Sequence, residues 1–144
     1  MTSVEATARR DHWLRAIGYG LLAEISTIVT IVVVVMLYKF VFARGLSEAD
    51  YTAFGERVGA LVGIVGGTLY TFIFARRLMP RVGSRFLAHG IVVALAAIVL
   101  SISGSIAGHH GVPAAYLLAS ALKLVAGTLA GWLYGRSNTL NRTV

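Results

Sequence analysis

Three ionisable residues, Glu24, His89 and Lys123, interrupt long apolar stretches of this sequence. A charged side chain at the centre of a bilayer costs about 3 kcal/mol on insertion scales, so it normally faces a bundle interior, has a partner and acts on ions, protons or substrates. Glu24 is the only acidic residue inside an apolar stretch. Counting ~1.5 Å per residue from Arg15 and Arg136, Glu24 would lie ~14 Å deep and Lys123 ~20 Å deep. A lysine side chain can span that difference, so we expect the two to be partners.

Two interpretations of these residues remain open. His89 is expected nearer the membrane surface, so that His89, Glu24 and Lys123 would form a polar file from the cytoplasm. Thr27 and Thr30 follow Glu24 along roughly the same side of the helix and could supply hydrogen bonds. In the functional interpretation the file carries protons or binds a charged substrate or ion, with Glu24 changing protonation and Lys123 as its counter-ion. In the structural interpretation the pair is a buried salt bridge that fixes helix register, and His89 reaches the headgroups.

Four apolar segments must position these residues. The chain is 57% hydrophobic and only 13% charged, whereas soluble domains carry about a quarter charged residues. Each segment meets the length of ~20 residues needed to cross a hydrocarbon core of ~30 Å. We therefore predict an all-α membrane protein with a transmembrane domain at 14–136. Its helices cover about 14–43, 56–75, 86–107 and 113–134, with the first long enough to tilt or project and a turn at 108–112.

Small residues recur at every fourth position in the second and fourth segments, as a helix-packing face in lipid requires. Val65-x-Gly67-Thr68-Leu69 also returns as Val125-x-Gly127-Thr128-Leu129. We predict two parallel two-helix repeats, about 14–77 and 78–136, related by an axis along the membrane normal. Helices two and four would pack together at the centre, with helices one and three outside. The packing residues would be Gly55, Gly59, Gly63, Gly67, Ala119, Gly127, Gly131 and Gly135.

The distribution of arginines predicts the orientation. Arginines flank the start of the first segment, fill the 76–85 connection and follow the fourth segment, whereas the 44–57 region also carries Glu48, Asp50 and Glu56. By the positive-inside rule, both termini and the 76–85 loop are cytoplasmic. We expect a plasma (inner) membrane location. The polar tails at 1–13 and 137–144 should be poorly ordered.

Other classes of function are disfavoured. The formal charge of +7 comes from basic residues at the ends of apolar segments rather than from one polar face, so no nucleic-acid partner is expected. There is no cysteine, no nucleotide fingerprint, and no nucleophile beside a base. We therefore expect neither enzymatic activity nor a metal or cofactor.

Leu22-Ala23-Glu24-Ile25 resembles the segment around the membrane-embedded glutamate of small multidrug resistance transporters. The resemblance implies proton-coupled antiport through Glu24, but it covers only a short part of the first helix and does not assign the chain to that family. Two functions are carried forward. One is a proton- or ion-coupled transporter or channel subunit acting as a homo-oligomer, because four helices with small central faces leave little room for a cavity. The other is a non-transporting accessory subunit that docks a partner membrane protein through its glycine-rich faces.

Overall fold

The chain folds into four long helices. The computed structural model describes the backbone of residues 3–107 and 114–140 and the side chains of residues 12–107 and 114–139. Each helix contains a stretch long and apolar enough to cross a membrane, so the predicted all-helical fold with four helices able to span a membrane is confirmed. The predicted turn at 108–112 lies outside the described residues. The helices are α1 (Ser3–Leu37), continued by a π-helical turn at Tyr38–Phe42, α2 (Glu48–Leu78), continued by a 3-10 turn at Met79–Arg81, α3 (Phe86–Ala107) and α4 (Ala114–Leu140).

The connection between α1 and α2 is held by local hydrogen bonds. Gly45 adopts a φ of 85°, a left-handed conformation that glycine adopts without steric cost. Ser47 and Asp50 form a capping box at the start of α2, which satisfies amide groups that the first helical turn leaves unpaired. The Tyr51 hydroxyl donates to the Ala43 carbonyl oxygen at 2.7 Å, so the turn is tied to the first residues of α2.

The helices form a ring in the order α1, α2, α4, α3. Each helix packs against its two ring neighbours, α2 and α3 touch only slightly, and α1 lies across the ring from α4. The prediction that α2 and α4 pack together is consistent with this ring. The prediction that helices one and three lie outside them is wrong, because α1 and α3 pack against each other just as α2 and α4 do.

The closest helix approaches in the described structure involve α3. A Cβ atom at Gly127 of α4 would collide with the Gly90 carbonyl oxygen of α3, and one at Gly131 would lie 2.5 Å from the Phe86 carbonyl oxygen. Gly135 also faces the Phe86 ring. On the other side of α3, a Cβ at Gly20 of α1 would lie 2.7 Å from the Ala96 Cβ. The α4 glycines therefore approach α3 and not α2, because the face of α4 that they form is turned toward α3.

The small residues of α2 have varied surroundings. Gly59 and Gly63 have no atom of another element near the position of a Cβ, and Gly55 has only a Val35 methyl at 3.9 Å. Gly67 is buried and adjoins the Lys123 side chain. Ala119 of α4 is buried as well. Part of the α2 stripe is thus open at the surface of the single chain.

The two ends of the bundle differ in charge. What we call the arginine-rich end lies at the start of α1 and α3 and the end of α2 and α4. At the opposite end, Lys39 pairs with Glu48 at 2.8 Å. The tightest apolar core lies toward the arginine-rich end and includes Ala16, Leu78, Val93 and Ala130. The basic side chains that the structure describes at the arginine-rich end are Arg15, Arg76, Arg77, Arg81, Arg85 and Arg136.

The segments expected to be irregular tails are helical where they are described. α1 begins at Ser3, within the predicted 1–13 tail, and α4 continues to Leu140, within the predicted 137–144 tail. Extending an existing helix adds one backbone hydrogen bond for each residue that is fixed, so polar residues can continue a helix that the apolar span has nucleated.

Candidate functional site

Glu24 and Lys123 form an ion pair inside the bundle. The Lys123 Nζ donates to the Glu24 Oε2 at 2.5 Å, and the two side chains are only 2% and 6% exposed, lysine first. Glu24 lies near the middle of the apolar stretch His12–Phe42, and Lys123 lies within Ala114–Thr139. The partnership expected from the sequence is therefore present, and both charges are removed from solvent.

Lys123 reaches Glu24 across the ring, because α1 and α4 are not neighbours. Its stem passes Gly67 of α2, where a Cβ atom would lie 2.7 Å from the Lys123 Cε and 3.5 Å from its Nζ. The same added atom would lie 3.8 Å from a Thr27 methyl. Gly67 therefore leaves the space through which the lysine side chain extends, and α1, α2 and α4 all contribute to the site.

The pair is costly to bury and costly to break. Removing two charges from water carries a penalty that their mutual attraction offsets only with good geometry, and removal of one partner leaves an uncompensated buried charge. The Glu24 contact is the one hydrogen bond that the Lys123 ammonium makes within the described part of the chain.

Hydroxyl groups continue from the pair along α1. Thr27 is buried and donates to the Ala23 carbonyl oxygen at 3.0 Å. Thr30 is within 2.9 Å of the Tyr70 hydroxyl and lies 2.8 Å from the Ser26 carbonyl oxygen. Tyr70 was missed from the sequence, although a tyrosine inside an apolar helix needs a partner for its hydroxyl. The described side chains thus place Glu24, Thr27 and Thr30 on one polar strip, as expected, with Tyr70 added from α2.

His89 lies apart from this strip. Its ring stacks on Trp13 with centroids 4.2 Å apart, and its Nδ1 is 3.0 Å from the Arg85 carbonyl oxygen. The Nε2 atom is buried and has no hydrogen-bond partner among the described residues. Trp13 precedes Glu24 by eleven residues, or ~16 Å along α1. The structure therefore does not bring His89 into contact with the Glu24–Lys123 pair.

The described surface depressions lie away from the pair. One is on the outer face of α4 and another is between α3 and α4 at the arginine-rich end, and neither is lined by Glu24 or Lys123. Among the described residues, no three histidine, cysteine or acidic side chains lie together as metal ligands would. Chemically, the site offers a carboxylate paired with an ammonium group through one carboxylate oxygen. No protein family, curated protein or solved structure matches this chain.

Proposed function

We propose that this protein is a subunit of a small oligomeric transporter or channel, coupled to protons or other ions, in which Glu24 and Lys123 form the intramembrane site. The observation that carries the proposal is the buried pair at 2.5 Å between helices on opposite sides of the ring. Ionisable residues at this depth in a membrane usually serve ion or proton pathways. The pair is internally neutral, so the closed site needs no external ion.

In this proposal Lys123 competes with the transported ion for Glu24. A proton or cation that binds the Glu24 carboxylate neutralises its charge and so removes the electrostatic attraction that holds the Lys123 ammonium. The lysine side chain then moves away from Glu24. Its departure changes the contact between α4 and Gly67 on α2, because the lysine stem occupies the space beside that glycine. Binding would thus be coupled to helix packing through a side chain that spans the ring.

The route to Glu24 would follow the hydroxyl strip. Thr27, Thr30 and Tyr70 extend from the pair toward the opposite end of the bundle, where hydroxyl groups can replace part of an ion's hydration shell. The Thr30–Tyr70 contact at 2.9 Å would have to open for passage. On the other side of the pair, the apolar core of Ala16, Leu78 and Val93 would close the arginine-rich end.

The wider arrangement is part of the proposal. Both termini and the 76–85 loop would be cytoplasmic, in a plasma or inner membrane, because the arginines concentrate at one end. The two hairpins would be copies of one ancestral unit, as the recurrence of Gly67-Thr68-Leu69 at Gly127-Thr128-Leu129 indicates. The open face of α2 at Gly59 and Gly63 would join copies of the chain.

A second candidate is a non-transporting accessory subunit. It is favoured by the open glycine face of α2, where a helix of another membrane protein could approach closely. In that case the Glu24–Lys123 pair fixes helix register and transports nothing. The two candidates differ in one property, which is whether the purified protein moves ions.

Ion flux in proteoliposomes tests the proposal. The wild-type protein should dissipate an imposed proton, sodium or potassium gradient, and Glu24→Gln should abolish that flux because the titratable carboxylate is gone. Lys39→Met is the matched control, since Lys39 also pairs with a carboxylate, at 2.8 Å from Glu48, but at the surface. The control should transport normally. Absence of wild-type flux for all three ions, or full flux in Glu24→Gln, would refute the transport proposal.

A further inference from the structure

A groove opens at the arginine-rich end between α3 and α4. It is an open depression of ≈ 330 Å³ and is lined by Arg85, Phe86, Gly131, Trp132, Gly135 and Arg136, among others. At Gly131 the two helices approach closely, because a Cβ there would lie 2.5 Å from the Phe86 carbonyl oxygen. Gly135 has no side chain to fill the space beside the Phe86 ring, and this space forms the groove. Its floor is apolar and its rim carries two guanidinium groups.

A second depression continues the groove along α4. It is an open depression of ≈ 370 Å³, and its lining residues, Leu124, Val125, Thr128, Leu129 and Trp132, all belong to α4. Trp132 lines both depressions, so the two adjoin at this side chain on the outer face of the protein. Together they extend from the two arginines toward the membrane interior. The end at the arginines is charged, and the remainder is lined mainly by apolar side chains.

The two arginines have no carboxylate partner in the described structure. Glu24 is buried with Lys123, and the other described acidic side chains, Glu48, Asp50 and Glu56, lie at the opposite end. The Arg136 guanidinium lies 5.5 Å from the centre of the Trp132 ring, which directs it over the groove. Arg85 has a φ of 56°, a conformation uncommon for residues with a side chain, and directly precedes α3. Arg85 is one of the residues that line the groove.

We propose that this groove binds one anionic phospholipid of the leaflet at the arginine-rich end. The lipid phosphate lies between Arg85 and Arg136, and an acyl chain follows Trp132, Val125 and Leu129 along α4. Basic pockets between membrane helices bind anionic headgroups, and tryptophan is enriched at the headgroup level of membrane proteins. The charge of the rim and the apolar tail of the groove together select an anionic lipid over a zwitterionic lipid and over a soluble anion.

Quenching of Trp132 by brominated lipid measures this binding directly. The chain has two tryptophans, and a Trp13→Phe background leaves Trp132 as the only reporter. In phosphatidylcholine nanodiscs, brominated phosphatidylglycerol should quench Trp132 more strongly than brominated phosphatidylcholine at the same mole fraction. Arg85→Gln with Arg136→Gln should lower the preference for the anionic lipid about tenfold or more, because each basic residue near an anionic headgroup contributes to its binding.

Two matched variants separate a specific site from general attraction. Arg77→Gln with Arg81→Gln removes the same charge from the same end but outside the groove lining, and should leave the preference unchanged. Gly135→Leu keeps both arginines and fills the groove, since its Cβ meets only the Phe86 ring at 3.6 Å; it should reduce quenching by the anionic lipid. A Gly104→Leu control, placed where no atom lies within 4 Å of the added Cβ, should not.

Three outcomes would overturn the proposal. An equal loss in the Arg77/Arg81 variant would show attraction by net charge alone. Full retention of lipid preference in the Arg85/Arg136 variant would show that the rim is not involved. If excess glycerol 3-phosphate removed the preference while Gly135→Leu left it intact, the two arginines would be a site for a soluble phosphate group and the apolar groove would play no part.

Discussion

At the scale of single residues, the site depends on the ion pair between Glu24 and Lys123. Lys123 is nearly fully buried at 2% exposure and Glu24 at 5%. The contact between the two charges offsets part of the free-energy cost of burying them. Burying either charge without its partner is therefore more costly than burying the pair. Gly67 belongs to the same unit, because any side chain there would compete with the Lys123 stem.

A double-mutant cycle on the pair is therefore expected to show strong coupling. Lys123→Met should destabilise the protein by about 3–5 kcal/mol, because it leaves the Glu24 carboxylate buried and uncompensated. Adding Glu24→Gln should recover most of that loss, as measured by protein abundance and by thermal unfolding in detergent. Additive effects of the two changes would show that the residues are uncoupled. If the double variant regains stability but not ion flux, the pair serves transport; recovery of both supports a structural salt bridge.

His89 is expected to contribute to stability by stacking its ring on Trp13, and not to take part in proton transfer. It stacks on Trp13 with an interplanar angle of 12°, and such aromatic contacts contribute about 0.5–1.5 kcal/mol. His89→Phe keeps a flat ring against Trp13 and should preserve both stability and flux. His89→Ala removes the ring and should lower the unfolding temperature. Loss of flux in His89→Phe, with stability unchanged, would instead place the histidine in a proton pathway.

At the scale of elements, α3 makes the closest glycine-mediated contacts of the ring. Gly20 brings α1 onto it, and Gly127 and Gly131 bring α4 onto it. In a bilayer, helix association depends on packing contacts rather than on exclusion of water, and small residues allow backbones to approach closely. The stability of the bundle should therefore be sensitive to added volume at these positions.

Two glycines of α1 provide a matched test of that sensitivity. A Cβ at Gly20 would collide with the Val93 carbonyl oxygen, whereas one at Gly18 would meet nothing within 4 Å. Gly20→Ala should cost about 1–3 kcal/mol, as overpacking does, and should lower the midpoint of thermal unfolding. Gly18→Ala should leave the midpoint unchanged or raise it slightly, because alanine favours helix. Equal effects of the two changes would contradict the close α1–α3 contact.

The sequence could predict the helices and the pair, but not which helix faces which. Hydropathy and length reveal the four spans, and counting rise from the flanking arginines places Glu24 and Lys123 at compatible depths. A stripe of glycines defines one face of α4 but contains no information about the neighbour on that face. Gly20 and Gly90 could not be identified in advance, because a single glycine in an apolar helix belongs to no stripe.

At the scale of the whole molecule, the arginine-rich end should determine the orientation in the membrane. The chain lacks cysteine, so single cysteines can be introduced at two exposed positions, Glu48→Cys at the opposite end and Ser84→Cys at the arginine-rich end. By the positive-inside rule, a membrane-impermeant maleimide should label position 48 in intact cells and position 84 only after permeabilisation. The reverse pattern would invert the topology, and labelling of both positions in intact cells would contradict a single orientation.

The open face of α2 should join copies of the chain. Gly59 and Gly63 are separated by one helical turn and have space where a second helix could approach. Gly59→Leu should abolish oligomer formation, measured by light scattering in detergent and by crosslinking in membranes, while the unfolding midpoint of the chain itself stays unchanged. Gly104→Leu, which also extends into open space but on α3, should leave the oligomer intact.

An oligomer that survives Gly59→Leu would need another interface. A wild-type protein that is monomeric in both assays would contradict the proposal of an oligomeric transporter. It would favour the accessory-subunit proposal, in which a partner membrane protein occupies this face.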